Sequence, residues 1–379
     1  MTDDEIHRIL QDRVDLAKRS VGIVAGLVDD KGARIVSYGK PNQESDQTVD
    51  GDTVFEIGSV TKAFTAILLA DMAGRSEVKL NDPISKYLPT RVKTPVRGGK
   101  EITLLHLSTH TSGLPRMPEN FASKDDQNPY ADYSVEQMYA FLSGYTLPRD
   151  IGATYEYSNY GAGLLGHILA LRAGMDYETL VRTRIAQPLK MDSTSIKLTP
   201  SMQARLATGH TNVRRPAANW DIPALAGSGA LRSTANDMLK FVAANLVVRP
   251  NSNEGLKGVK QPATGLIHTF QLSSVGPLGL SQSPQSPLSP LSELSAAMQM
   301  THQPQHGAGA PEMEIGLGWH ILKKFGAEIV WHNGGTGGYH AFAGFEKKHK
   351  GVVVLSNSIG DIDDIGRHLI ESQFPLSGN

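Results

Sequence analysis

The sequence predicts a mixed α/β fold: an antiparallel β-sheet flanked by terminal helices, with a mostly helical segment inserted between its strands. Three observations predict it. The chain opens on a helical period followed by a hairpin pattern, it closes on three strand-like runs and a helix, and its middle carries mainly helical periodicity.

At the opening end, Ile6, Ile9, Leu10, Val14 and Ala17 recur at helical spacing. Val21 to Val28 is a β-type run, Asp29-Asp30-Lys31-Gly32 a turn, and Ala33 to Tyr38 the returning strand. At the closing end, Glu328 to His332, His340 to Phe345 and Val352 to Ser356 read as strands, and Ile362 to Phe374 as a final helix. In the middle, Asn81-Asp82-Pro83 is expected to start a helical segment through Tyr87-Leu88-Pro89. Ile102 to Thr109, Val135 to Leu142 and Gly161 to Ala173 follow as helices, the last bounded by Gly174. Thr234 to Leu246 is another, with Ser233 as its expected N-cap. From Arg249 to about Pro290 the composition turns to Pro, Ser, Gly and Gln. Strands of the same sheet follow it, so it reads as a long, partly disordered surface excursion and not as a domain linker. The expected organisation is therefore a discontinuous sheet domain, residues 1–75 and 205–379, around a helical domain of residues 76–204.

Composition narrows the function. An apolar fraction of 40% over 379 residues is ample for a large core. A formal net charge of −1 without a basic block gives no reason for a nucleic-acid or anionic-membrane partner. The absence of cysteine removes disulfides, thiolate metal sites and cysteine nucleophiles together. Met1-Thr2-Asp3-Asp4-Glu5 leads into a polar amphipathic helix, with no signal peptide or transmembrane span visible. That favours a cytoplasmic protein, or a periplasmic one if the sequence is a trimmed form. No Gly-x-Ser-x-Gly elbow, phosphate loop or dinucleotide fingerprint occurs.

The chemistry centres on Phe55-Glu56-Ile57-Gly58-Ser59-Val60-Thr61-Lys62, followed by an apolar run in which Phe64, Ile67, Leu68 and Met72 share a helical face. A turn there delivers Ser59 to the start of a buried helix, with Lys62 one turn on. Burial and the helix N-terminus depress an amine pKa, and a neutral amine can take the serine proton. Ser37 to Lys40 and Ser76 to Lys79 share the spacing but lack the following helix.

Tyr157-Ser158-Asn159 precedes a helix; a tyrosine there can shuttle protons, and an asparagine amide can bond the lysine or a substrate amide. His332-Asn333-Gly334-Gly335-Thr336-Gly337-Gly338 ends one strand and begins the next, leaving backbone N–H groups open to a ligand. His106 and His110 lie four apart, as zinc ligands on a helix would. Thr109 to Pro115 breaks the helix between them, and no glutamate pairs with them.

Taken in this order, Ser59-x-x-Lys62, Tyr157-x-Asn159 and His332-x-Gly334 resemble the class C β-lactamases and penicillin-binding-protein-like serine hydrolases. Leu105 to Pro115 and Leu231 to Met238 share the likeness. The resemblance implies a β-lactamase/transpeptidase-like fold with the site between sheet and helical parts. It implies Ser59 as the acylated nucleophile, Lys62 and Tyr157 as general base and acid, and Asn159 as the residue orienting Lys62 and substrate. The backbone N–H groups of Ser59 and Gly335 would form the oxyanion hole, and His332, Asn333 and Gly334 would contact substrate. No metal or organic cofactor is implied.

The sequence departs from the lactamase pattern at His332, where those enzymes carry the lysine of Lys-Thr-Gly. A histidine is largely neutral at pH 7, so recognition of a substrate carboxylate is expected to weaken. That favours a serine hydrolase acting on small esters. The alternatives are a β-lactamase, a D-alanyl-D-alanine carboxypeptidase or a D-aminopeptidase, with a D-amino-acid peptide or β-lactam substrate. A catalytically idle penicillin-binding sensor or scaffold, and a zinc hydrolase using His106 and His110, complete the set.

Overall fold

The computed structural model describes residues 1–246, 290–346 and 350–377. The Pro/Ser-rich excursion, up to residue 289, and the centre of the turn from Glu346 to Lys350 lie outside the described residues.

Helix α1 (Asp3–Gln11) is extended by one π turn over Asp12–Leu16 and leads into the hairpin β1 (Gly22–Asp29) and β2 (Gly32–Gly39). Strand β3 (Val54–Glu56) and a 3₁₀ turn at Gly58–Val60 deliver α2 (Thr61–Gly74). The middle carries a small hairpin of β4 (Val96–Arg97) and β5 (Lys100–Glu101). Its helices are α3 (Leu104–Ser108), α4 (Val135–Gly144), α5 (Asn159–Ala173), α6 (Tyr177–Val181) and α7 (Pro200–Ala204). Next come β6 (Gly209–His210), β7 (Pro216–Ala217), β8 (Arg232–Thr234), α8 (Ala235–Leu246) and α9 (Pro290–Thr301). The chain then builds β9 (His306–Gly307), β10 (Met313–Ile315), β11 (His320–Lys324), β12 (Ala327–Gly335), β13 (His340–Glu346) and β14 (Lys350–Ser356), and closes on α10 (Asp363–Ile370).

The main sheet has eight strands in the order β2-β1-β14-β13-β12-β11-β10-β9, with every neighbouring pair antiparallel. The hairpin at the start pairs directly with the last strand, Ile23 opposite Ser356. This is why both ends of the sequence predict one sheet. Both of its faces are covered, which explains the unbroken apolar run of β14. Val353 and Leu355 join the core around α2 and α8, while Val352 and Val354 face Ile6 and Leu10 of α1 and Ile365 and Leu369 of α10. No helix among the described residues is long and apolar enough to cross a membrane.

Four expectations need correction. The apolar face expected from Phe64, Ile67, Leu68 and Met72 extends all round α2: every residue from Thr61 to Met72 is buried, because neighbouring elements pack on all its sides. The segment at Asn81 forms only a 3₁₀ turn at Ile84–Lys86, since Ile84 N–H bonds Ile102 O and Leu104 N–H bonds Asp82 O, which holds the chain extended. Ser233 is a strand residue of β8. Thr234 caps α8 instead, its hydroxyl accepting from Asp237 N–H at 3.2 Å. The final helix stops at Ile370, and α9 begins at Pro290 within the tail of the Pro/Ser-rich composition.

Candidate active site

The turn that carries Ser59 follows from its glycine. Gly58 has φ +48°, in the left-handed region, and the chain turns there from β3 into α2 with Ser59 at the bend. Lys62 stands one turn further on and is 2% exposed. Its Nζ lies 2.8 Å from Ser59 Oγ, 2.9 Å from Asn159 Oδ1 and 2.6 Å from Ser228 O. None of these partners is a carboxylate. Burial, helped by the nearby charge of Arg116, holds the Lys62 pKa well below that of a free lysine. A neutral amine satisfies the same geometry: two N–H groups go to Asn159 and Ser228, and the lone pair receives the Ser59 O–H.

The start of α5 supplies the second wall. Ser158 caps it, accepting from Gly161 N–H at 2.8 Å and donating to Pro115 O at 2.6 Å. Ser158 N–H donates to His110 Nδ1 at 3.1 Å, so the loop from Thr109 to Pro115 fixes Tyr157 and Asn159. Tyr157 is partly exposed along the cleft, with its hydroxyl beside Ser59. Burial, the larger cause, raises that hydroxyl's pKa above the usual phenol value, so Tyr157 is a neutral phenol at pH 7.

Strand β12 supplies the third. Strand β11 accompanies it only as far as His320 opposite Trp331, so one edge of β12 is open beyond that point. Thr336 N–H bonds Tyr339 O at 3.1 Å, which makes Thr336 and Gly334 the residues bonded to β13. Asn333 and Gly335 therefore aim their N–H groups at the open edge. The strand and the Ser59 turn touch: a Cβ on Gly334 would lie 2.0 Å from Ile57 O and 2.8 Å from Ser59 N. One on Gly58 would lie 2.8 Å from Gly335 N. The N–H groups of Ser59 and Gly335 are thus adjacent donors, as an oxyanion hole requires.

These groups share a cleft of about 410 Å³, whose lining includes Ser59, Tyr157, Asn159, Asn333, Gly334 and Gly335. His332 is not part of it. The side chain is fully buried, with Nδ1 2.5 Å from Asn333 O and its ring 5.1 Å from that of His320. Burial first, then the charges around it, push its pKa well below the usual value. The expectation of a neutral imidazole holds, but its expected contact with substrate does not, because the alternation of β12 turns this side chain inward. His106 caps α3, its Nδ1 accepting from Thr103 N–H at 3.1 Å, while His110 serves Ser158. Among the described residues the one cluster with metal-like spacing is His340, Asp361 and Asp363. Its atoms engage each other and Asn333: His340 Nε2 lies 3.1 Å from Asp363 Oδ1, and Asn333 Nδ2 2.5 Å from Asp363 Oδ2.

The family model described as Beta-lactamase matches residues 6–371. The chain belongs to the β-lactamase family. A D-alanyl-D-alanine-carboxypeptidase/endopeptidase, AmpH of Escherichia coli K12, is 31% identical over 231 residues, 61% of this chain. The aligned part spans only 59% of that relative's own length. A β-lactamase of the same organism is 26% identical over 360 residues, covering 94% of this chain and 88% of the relative. Among solved structures, a β-lactamase/D-alanine carboxypeptidase from Yersinia pestis, complexed with citrate, superposes with a TM-score of 0.75 at 22% identity, covering 97% of each chain. One from Pseudomonas syringae gives 0.74 at 20% identity, covering 99% of each. This β-lactamase-family fold is the mixed α/β fold predicted from the sequence.

Several cleft residues of this β-lactamase-family chain escape sequence reasoning. Ser228 acts through its carbonyl, which no residue pattern reveals. Arg116, Tyr130, Trp220 and His340 line the cleft from four separate loops or strand ends. Arg116 had one weak signal, an isolated basic residue just after the Gly113-Leu114-Pro115 turn.

Proposed function

We propose that this chain is a serine acyl hydrolase that cleaves β-lactam or D-alanyl amide bonds through an acyl-enzyme on Ser59. The observation that carries the reading is Lys62, buried without a counter-charge 2.8 Å from Ser59 Oγ. In acylation the neutral Lys62 amine accepts the Ser59 proton as Oγ bonds the substrate carbonyl carbon. The carbonyl oxygen gains the displaced electron pair and accepts from the N–H groups of Ser59 and Gly335. Tyr157, neutral because its pKa is raised, relays the proton from Lys62 to the leaving nitrogen as the C–N bond breaks, which leaves Lys62 neutral again. Water then attacks the acyl-enzyme with the same base, regenerating Ser59.

The reading in favour of esters rested on a cleft without a permanent cation, since His332 replaces the lysine. Arg116 lines the cleft and is such a cation. The named activities of the similar E. coli proteins, β-lactamase and D-alanyl-D-alanine carboxypeptidase, point the same way.

The test is turnover of nitrocefin, a D-alanyl-D-alanine peptide and nitrophenyl acetate, with intact-protein mass spectrometry of a slowly released penicillin. An adduct on Ser59 and faster turnover of the amides are expected. An adduct elsewhere, or a clear preference for the neutral ester, overturns the assignment.

A further inference from the structure

We propose that Arg116 is the residue that binds the substrate's carboxylate, reading it from the loop preceding α5 and not from strand β12. The inference deepens the proposed acyl-hydrolase reading and rests on it.

Four observations carry it. Arg116 is exposed and lines the cleft together with Ser59 and Asn333. No aspartate or glutamate lines that cleft, and among the described residues no carboxylate forms an ion pair with Arg116. Its guanidinium lies 5.1 Å from the Tyr157 ring centroid. The ring face attracts the charge, and among the described residues no side chain or carbonyl accepts from the guanidinium N–H groups, which a carboxylate could take up in a bidentate pair. Finally, its main chain is pinned: Arg116 O accepts from Asn159 N–H at 3.0 Å and Tyr160 N–H at 3.2 Å. The charge is therefore held in register with the Tyr157 and Asn159 side of the site.

The position inside β12 where a substrate-facing lysine was expected holds the buried, neutral His332, which offers no charge. The other charged group lining the cleft, His340, is already paired with Asp363. Among the described residues that line the cleft, Arg116 alone combines a permanent charge with side-chain N–H groups that bond no other residue. The ligand class is an acyl amide with a free carboxylate beside the scissile bond, as in a β-lactam acid or a peptide ending in a D-amino acid.

The test separates charge recognition from chemistry. In Ser59→Ala protein, which cannot acylate, the equilibrium affinities of benzylpenicillin and its methyl ester are measured by calorimetry. The acid is expected to bind about tenfold tighter than the ester, and adding Arg116→Ala is expected to erase that preference. In protein retaining Ser59, the ratio of kcat/KM for nitrocefin over nitrophenyl acetate should fall about tenfold in Arg116→Ala, mainly through KM, with Arg116→Lys between the two. An acid-to-ester preference that survives Arg116→Ala overturns the proposal. So does an equal fall for both substrates, which would mean that Arg116 acts only through Tyr157 or Lys62. If no substrate acylates Ser59, the acyl-hydrolase reading fails, while the binding comparison still decides whether Arg116 selects carboxylates.

Discussion

Two buried basic side chains sit on opposite faces of the same sheet and are treated in opposite ways. Arg13, below the sheet, is held bidentately by Asp364, with contacts of 2.6 and 3.2 Å, and also donates to Asp361 O at 2.6 Å. Its charge is balanced by a carboxylate buried as deeply as itself. Lys62, above the sheet, has three good acceptors and no counter-charge. The first arrangement keeps a charge permanently and ties the N-terminal π turn to α10. The second makes a charge costly and so leaves a base. The difference separates a basic side chain held as a charged fastener from one left without a counter-charge, as the proposed base requires.

The sharpest way to break the contrast is to make the second charge permanent too. Lys62→Arg keeps the charge but cannot deprotonate, and the rate of Ser59 acylation by nitrocefin should drop on the order of 10⁴-fold. Near-native acylation in stopped-flow would show that Lys62 is not the base. Stability should follow the reverse pattern. Arg13→Ala strands Asp364 in the interior and should cost about 3–5 kcal/mol in urea unfolding, leaving kcat of the folded enzyme intact. Lys62→Met removes an uncompensated buried amine, so it should be neutral or stabilising while abolishing turnover. If both substitutions destabilise alike, the two side chains are not different in kind.

Protonation sharpens the comparison further. The pKa of Lys62 is lowered, chiefly by burial, so kcat/KM should rise with pH through a value well below 10.4 and then level off. Acidification should not improve turnover of carboxylate substrates, because the His332 pKa is also depressed and its ring stays away from the cleft. Burial opposes ionisation of Asp364, but Arg13 and the Ser377 N–H outweigh it and lower the pKa. Its contribution is therefore present above about pH 4 and is lost as pH falls through the folded value.

The smallest effect concerns His340. Burial disfavours its charge, but the hydrogen bond and charge of Asp363 prevail, and its pKa is raised. The pair's contribution is complete below about pH 6.5 and fades as pH rises through the folded value. Melting temperature against pH should show a shallow loss over that window, which His340→Gln removes. An unchanged slope in the variant would assign the effect elsewhere.

The sheet was legible because its strands alternate or run apolar at both ends of the chain, and those ends pair directly. Ser59, Lys62, Tyr157 and Asn159 were legible because each sits at a helix start, where local spacing fixes geometry. His332 was misplaced because period-2 alternation gives two faces but does not say which one meets the cleft. Arg116 and Trp220 come from loops whose positions depend on packing between distant segments. The 3₁₀ turn at Ile84 was missed for the same reason, since its backbone partner is Ile102, far from any local pattern.

The contact between Gly334 and Ile57 has a consequence in the order of synthesis. The nucleophile turn emerges early, and the base and the Tyr157 loop soon after, yet the second oxyanion donor lies near the end of the chain. At ordinary translation rates the interval from Ser59 to Gly335 lasts on the order of tens of seconds. Throughout it the nascent chain carries Ser59 and Lys62 without the Gly335 N–H that the finished fold places beside them. On the proposed mechanism a chain that stops before β12 is expected to acylate Ser59 far more slowly than the full chain, which nitrocefin acylation of the two proteins checks.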